Sequence, residues 1–218
     1  GGRDSMVLAN LLFENGHQFS IAHCNFQLRK GDSDKDEALV LSWAKERNIT
    51  AHHIKFDTEK SMQEWKMSLQ ETARKLRYDW FQTLCKEHQY HAIATAHHAN
   101  DNAETLLINL CKGTGIAGLH GIPPKNNNII RPLLFATRAI INEYAVQEKV
   151  PYREDESNAS TKYLRNAVRH KIVPEMEAIF PNLIAQMNDN IRRFADVEIL
   201  YQQAIATNKK KLLEQRGN

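Results

Sequence analysis

Two residues without side chains, a carboxylate and a hydroxyl stand at the start of the chain, Gly1-Gly2-Arg3-Asp4-Ser5. An apolar helical run, Met6-Val7-Leu8-Ala9-Asn10-Leu11-Leu12, follows directly. Glycines let a backbone approach an anion closely. Ser5 and the first free N–H groups of a helix can bind phosphate oxygens, helped by the positive end of the helix dipole. Asp4 can hold a metal ion that rides on those phosphates. A plain glycine turn with a serine cap is the alternative, and five residues do not decide between them. No Lys follows the glycines, which separates the motif from the lysine-containing phosphate loop.

The second chemical stretch is Ala96-His97-His98-Ala99-Asn100-Asp101-Asn102-Ala103-Glu104-Thr105. Asp101 and Glu104 are three apart and share a helix face. A cap at Asn100 or Asp101 with Glu104 closing a capping box explains one acid but not two histidines at a strand end. The HHxxD spacing lacks a third soft ligand, which argues against zinc. Arg74 and Arg77 lie one helical turn apart beside Tyr78. They read as a clamp for phosphate or carboxylate, or as solvated partners of an acid such as Glu71. Lys112-Gly113-Thr114-Gly115 offers free backbone N–H groups, a common property of glycine turns. Asp155-Glu156-Ser157-Asn158, then Arg165-Asn166-Ala167-Val168-Arg169-His170, gathers acids, amides and arginines without an apolar stripe. That is a surface network or one wall of a phosphate cleft.

The elements that position these groups follow from periodicity. A helix is expected over 5–14 and strands over 19–25 and 49–56, with a helix from Ser33 or Asp34 to about Arg47 between them. Met62, Trp65, Leu69, Ala73, Leu76, Trp80 and Leu84 recur in steps of three and four, which predicts one long helix over 61–88. A strand over 91–96, a helix over 101–111, a strand over 128–131 and a helix capped by Thr137 complete the alternation. Strands alternating with helices imply parallel pairing and right-handed crossovers. The candidate groups fall just after strands, where open α/β sheets bind ligands. Beyond Pro174 the pattern is helical, with an element expected near Pro181. The expected fold is therefore α/β, with helices on both faces of a parallel sheet and a helical C-terminal element. A phosphate loop of this kind normally follows a buried strand, so a preceding central strand is expected outside the 218 residues.

Composition sets bounds. No apolar run approaches the ~18 residues of a membrane span. Cys24, Cys85 and Cys111 form no CxxC pair and suit a reducing, cytoplasmic setting. Residues 1–159 carry 19 Lys/Arg against 20 Asp/Glu, and residues 160–218 carry 10 against 6. The basic C-terminal quarter suits contact with a polyanion.

Taken in order, these motifs resemble the N-type ATP-pyrophosphatase (PP-loop) superfamily and, within it, the tRNA(Ile)-lysidine synthases. Gly1 to Ser5 match SGGxDS without its Ser. Ala96, His97, His98, Asp101, Glu104 and Thr105 match AHHxxDxxET, and Ala73, Arg74, Arg77 and Tyr78 match ARxxRY. Gly113, Thr114, Gly115, Gly118, Leu119, Gly121 and Ile122 match GTGxxGLxGI. Arg131 to Leu134 match RPLL. Glu154, Asp155, Ser157, Asn158, Arg165, Asn166, Arg169 and His170 match EDxSN…RNxxRH. The family's second HxxHxLR histidine is Phe26 here, so no catalytic role falls on it.

The resemblance implies a Rossmann-like, adenine nucleotide alpha hydrolase-like catalytic domain over 1–175 and the start of a helical tRNA-binding element over 176–218. It implies that ATP adenylates the C2 oxygen of the wobble cytidine of an isoleucine tRNA with a CAU anticodon. Free L-lysine then displaces AMP to give lysidine, so that the tRNA reads AUA. ATP would be held by Gly1, Gly2, Arg3, Asp4, Ser5, Gly113, Thr114 and Gly115, with Mg²⁺ at Asp4. Lysine would be held by Asp101, Glu104 and His97. Catalytic roles would fall to Asp4, Arg77, Asp101, Arg165 and Arg169. Competing expectations are another PP-loop tRNA enzyme such as a thiolase, a small-molecule ligase of the same fold, and a silent nucleotide- or RNA-binding module. The oligomeric state is left open, a homodimer included.

Overall fold

The computed structural model describes residues 1–28, 31–154 and 164–212. The chain divides into two compact units. The first comprises Gly1–Ala96, Lys125–Leu133 and Ala139–Asp155, and the second His97–Pro124, Leu134–Arg138 and Glu156–Asn218.

In the first unit α1 spans Arg3–Glu14, with Gly2 as its N-cap. Ser5 is therefore inside the first turn, not at the cap, and its hydroxyl donates to the Gly2 carbonyl at 2.7 Å. Met6, Val7, Leu8 and Ala9 are all buried, so the helix is covered on more than one side. Strand β1 (Ile21–Asn25), helix α2 (Gly31–Glu46) and strand β2 (Ala51–Lys55) follow. β1 and β2 pair in parallel, from Ile21 opposite Ala51 to Asn25 opposite Lys55.

The long helix expected over 61–88 is two helices, α3 (Thr58–Trp65) and α4 (Leu69–His88). Lys66 breaks the chain in the left-handed region at φ 52°. Ser68 then starts α4: its Oγ accepts from the Glu71 N–H while its own N–H donates to Glu71. The S-x-x-E start signal lay inside an apolar period that continues across the break.

Strand β3 (Ile93–Ala94) pairs in parallel with β5 (Ile129–Ile130), and β5 pairs antiparallel with β4 (Lys125–Asn126). The β4–β5 hairpin was not expected; Asn127 turns it at φ 52°. The parallel pairing of an α/β protein is present, in two sheets of order β1-β2 and β3-β5-β4 among the described residues. Alternation along β1 sends neighbouring side chains to opposite faces. Asn25 meets Glu37 of α2, while Cys24 lies in the field of Arg77 of α4. Helix α7 (Arg138–Gln147) buries Ile141 and Ala145.

The second unit is helical. α5 (Ala99–Lys112), α6 (Ile116–Leu119), α8 (Leu164–Ala167), a π-helical turn (Val168–Ile172), α9 (Val173–Ile179) and α10 (Leu183–Leu212) make it up. Its core joins Ala99, Ala103 and Leu106 of α5 to Val168, Val173 and to Leu183, Ile184, Met187 and Ile191 of α10. A side-chain amide relay ties α5 to α10. Asn102 Nδ2 donates to Asn188 Oδ1, and Asn188 Nδ2 donates to the Ala99 carbonyl at 3.0 Å. Asn102 Oδ1 accepts from the Ile122 N–H at 2.7 Å. No described helix is long and apolar enough to cross a membrane.

Candidate active site

The start of α5 builds the densest charged cluster. His98 is its N-cap, and the Asp101 carboxylate accepts the His98 N–H at 3.0 Å. The alternative reading of the sequence, a cap at Asn100 or Asp101 with Glu104 closing a capping box, is not the one observed. With Asp101 serving the cap instead, Glu104 is released to face inward.

Glu104 is 1% exposed, and three guanidinium groups close on it. Arg169 donates to both of its oxygens, at 2.7 and 2.9 Å. Arg165 Nε reaches Oε2 at 3.1 Å and Arg138 reaches Oε1 at 3.3 Å. Arg169 also reaches Asp101 Oδ1 at 2.9 Å. Arg165 adds bonds to the Asp101 carbonyl and the Thr105 hydroxyl. Arg165 and Arg169 are one turn apart across the junction of α8 with the π-helical turn. A single π turn inside a helix is a frequent mark of functional sites.

Burial pushes the Asp101 carboxyl upward, but the His98 ring and N–H, then Arg165 and Arg169, outweigh it and hold the group below the usual carboxylate range. Among the described residues three arginines face two carboxylates here. Sequence reasoning brought Asp101, Glu104, Arg165 and Arg169 forward, and the structure brings them together. It missed Arg138, whose N–H is anchored on Asn100 Oδ1 at 2.8 Å. The available signal was a cation at the first position of α7, where a helix dipole disfavours positive charge. His98 is buried and His97 half-buried.

In the first unit the glycine turn enters α1, whose first-turn N–H groups have no partner within the helix. A Cβ at Gly1 would lie 3.1 Å from the Asp36 carbonyl oxygen, a close backbone approach. The Gly1 carbonyl accepts the Arg153 N–H at 2.9 Å, and Arg153 pairs with Asp36 at 2.9 Å and Asp32 at 3.2 Å. Arg3 is turned toward α7 and the 152–154 segment. It bonds Asn142, pairs with Glu154 at 2.5 Å, and lies 4.9 Å over the Tyr152 ring. Asp4 stands in the first turn of α1.

At the carboxyl end of β1, Asn25 donates to Glu37 at 2.7 Å and Asp34 at 3.0 Å. Burial lowers the His23 imidazole below its usual value. Arg77 is exposed on α4.

Gly113, Thr114 and Gly115 lie exposed in the second unit, with Gly113 at φ 78° ending α5. A Cβ at Gly118 would fall 1.8 Å from Thr114 Oγ1, so this loop requires glycine there. Asp155 to Asn158, with Arg29 and Lys30, lie outside the described residues. Among the described residues no group of three or more His, Cys, Asp or Glu is arranged to hold a metal ion. A single carboxylate such as Asp4 suits Mg²⁺ completed by phosphate oxygens rather than an all-protein site.

The PP-loop domain family matches residues 1–176. The chain belongs to the PP-loop family. It is 47% identical over 184 residues to the tRNA(Ile)-lysidine synthase of Porphyromonas gingivalis, covering 84% of this chain and 40% of that protein. It is 42% identical over 210 residues to the tRNA(Ile)-lysidine synthase of Chlorobaculum tepidum, covering 91% and 63%. The enzyme of the same name from Bacteroides thetaiotaomicron is 37% identical over 217 residues, covering 100% and 51%. The chain thus spans between 40 and 63% of the length of these relatives. Among solved structures, the U34-tRNA thiolase NcsA of Methanococcus maripaludis with its 4Fe-4S cluster superposes with a TM-score of 0.72. That match is 18% identical and covers 90% of this chain and 70% of that one. At that identity the likeness is one of fold, and it agrees with the α/β architecture.

Proposed function

We propose that this chain is the catalytic part of an ATP-dependent ligase that joins lysine to C2 of the wobble cytidine of a CAU-anticodon isoleucine tRNA. One observation carries the reading: the 47% identity to a tRNA(Ile)-lysidine synthase runs over 184 residues. The α5 cluster supports it chemically.

In the first step the cytidine O2 attacks the α-phosphorus of ATP and pyrophosphate leaves. The N–H groups at Gly1 to Ser5 would meet that leaving charge. Fixed donors aimed at developing charge lower a barrier more than mobile water does. Asp4 would hold Mg²⁺, which supplies Lewis-acid neutralisation of phosphate charge. Arg77 would add positive charge at the same step.

In the second step the lysine ε-amine attacks C2, AMP departs and the amine loses a proton. Asp101 stays ionised under its basic neighbours and can hold an ammonium group or accept that proton. Glu104 is committed to three arginines, so it acts through them. It fixes Arg165 and Arg169, whose guanidinium groups suit an anionic group, the lysine carboxylate or the departing phosphate. His97, just before the cap, can orient the amine.

The test is incorporation of radiolabelled lysine into a CAU-anticodon tRNA(Ile) transcript, with and without ATP. A transcript carrying uridine at the wobble position is the control. ATP-dependent label in the cytidine transcript alone is expected. Label in neither transcript would discard the reading.

A further inference from the structure

Phe26, where the family pattern has histidine, carries no chemistry of its own, yet its ring is fixed from several sides. Its carbonyl accepts the hydroxyl of Thr58, which is 1% exposed, at 2.8 Å. The ring stacks on Phe56 with centroids 5.7 Å apart and planes 22° apart, and the Trp80 ring meets Phe56 edge-on at 6.4 Å. Gln27 closes the turn, its side chain donating to the Phe56 carbonyl at 3.1 Å.

Over this ring lies the guanidinium carbon of Arg77, 5.2 Å from the centroid. Arg77 is exposed and makes no hydrogen bond or ion pair among the described residues. The two acids of its own helix nearest to it are engaged elsewhere: Asp79 pairs with Lys75, and Glu71 bonds Ser68. Arg74, one turn earlier, repeats the arrangement 4.7 Å over Tyr78. A guanidinium held by its flat face keeps its N–H donors at the rim. Phe26 follows β1 directly, so the ring and the Arg77 over it stand at the carboxyl end of that strand, the ligand edge of an open α/β sheet.

We propose that Phe26 is a positioning residue. Its ring holds Arg77 flat so that the unspent N–H groups meet phosphoryl oxygens, either of a nucleotide polyphosphate or of an RNA backbone. The choice of these two ligands rests on the ligase reading. Phe26 puts a cation–π seat where the family pattern has histidine, and the seat works through Arg77 alone.

The test is graded fluorination of position 26 in the intact protein. Fluorine withdraws electron density from the ring face and leaves its shape nearly unchanged. Affinities for ATP and for the CAU-anticodon transcript are measured at low salt for Phe, 4-fluoro- and 3,4,5-trifluorophenylalanine, with melting temperature alongside. The expected result is a stepwise loss reaching about two- to five-fold for one ligand, with unchanged melting. Loss for ATP assigns the nucleotide, and loss for the transcript assigns the RNA. In Arg77→Gln the grading disappears, and Phe26→Tyr retains affinity where Phe26→Leu loses it. A flat series for both ligands, no binding of either by the unsubstituted protein, or the same grading in Arg77→Gln would overturn the proposal. Failure of lysine incorporation with the grading intact would remove the ligase reading and leave the seat standing.

Discussion

Replacing Glu104 with glutamine keeps the shape of the side chain and removes one charge. The consequence can be worked from the cluster. The carboxylate is 1% exposed, and the Arg169, Arg138 and Arg165 side chains around it are 17, 32 and 39% exposed. A unit charge pair about 4 Å apart is worth about 4 kcal/mol at an effective dielectric of 20. Desolvation offsets much of that sum while the pairs are intact. Removing one partner leaves three cations around a neutral amide, and breaking a buried pair costs about 3–5 kcal/mol. At roughly 2–4 °C per kcal/mol for a protein of this size, Glu104→Gln should melt roughly 6–20 °C lower. Asp101→Asn removes a carboxylate with a single arginine contact and keeps an amide oxygen that can accept the His98 N–H, so its loss should be smaller than that of Glu104→Gln. Thermal melts of the two variants beside the parent protein give the comparison. A Glu104→Gln protein melting within about 2 °C of the parent would show that the arginines do not depend on that carboxylate.

Asp101→Asn should fold and yet lose lysine-dependent AMP release; near-normal turnover would remove Asp101 from the chemistry. Because its folded-state acidity is raised, the Asp101 charge stabilises the fold above about pH 4 and is lost as pH falls through its lower folded value. The gap in unfolding free energy between parent and Asp101→Asn should therefore be constant above pH 5 and shrink below about pH 4; a gap unchanged down to pH 3 contradicts this. Gly121→Ala should cost about 2–3 kcal/mol in urea unfolding, because a Cβ at φ 63° would sit 2.2 Å from Asn102 Oδ1; parity with the parent would show that the relay yields freely. Burial pushes the Cys24 thiol up to about 12, and Cys85 is raised for the same reason, whereas Cys111 is exposed. Alkylation at neutral pH should label Cys111 first and Cys24 only on unfolding, read by peptide mass.

Much of this architecture was legible because the alternation of strand and helix is written in short, well-separated periods. The α3–α4 break was not legible, since Met62, Trp65 and Leu69 keep the helical step across it. Only the left-handed Lys66 and the Ser68–Glu71 pair mark the joint. The β4–β5 hairpin escaped because two-residue strands leave no periodic trace. In the cluster, residue types announced charge but not its balance. The resemblance gave Asp101 and Glu104 one shared task, holding lysine; in the structure the His98 cap engages one and three arginines engage the other. Arg138 comes from 34 residues beyond Glu104, and no local spacing connects them.

Helix α10 has a mechanical consequence. At 1.5 Å per residue its 30 residues extend about 45 Å, but its fully buried side chains, Leu183, Ile184, Met187 and Ile191, all fall in the first third. Asn188 sits within that grip and holds the opening carbonyl of α5. The rod is thus gripped over its first third and tied once more at mid-length, where Glu198 meets His120 at 3.3 Å, and a load applied beyond residue 200 acts on the half that lies past these holds. Any twist it delivers arrives at Ala99 and Asn102, within one turn of Asp101 and Glu104.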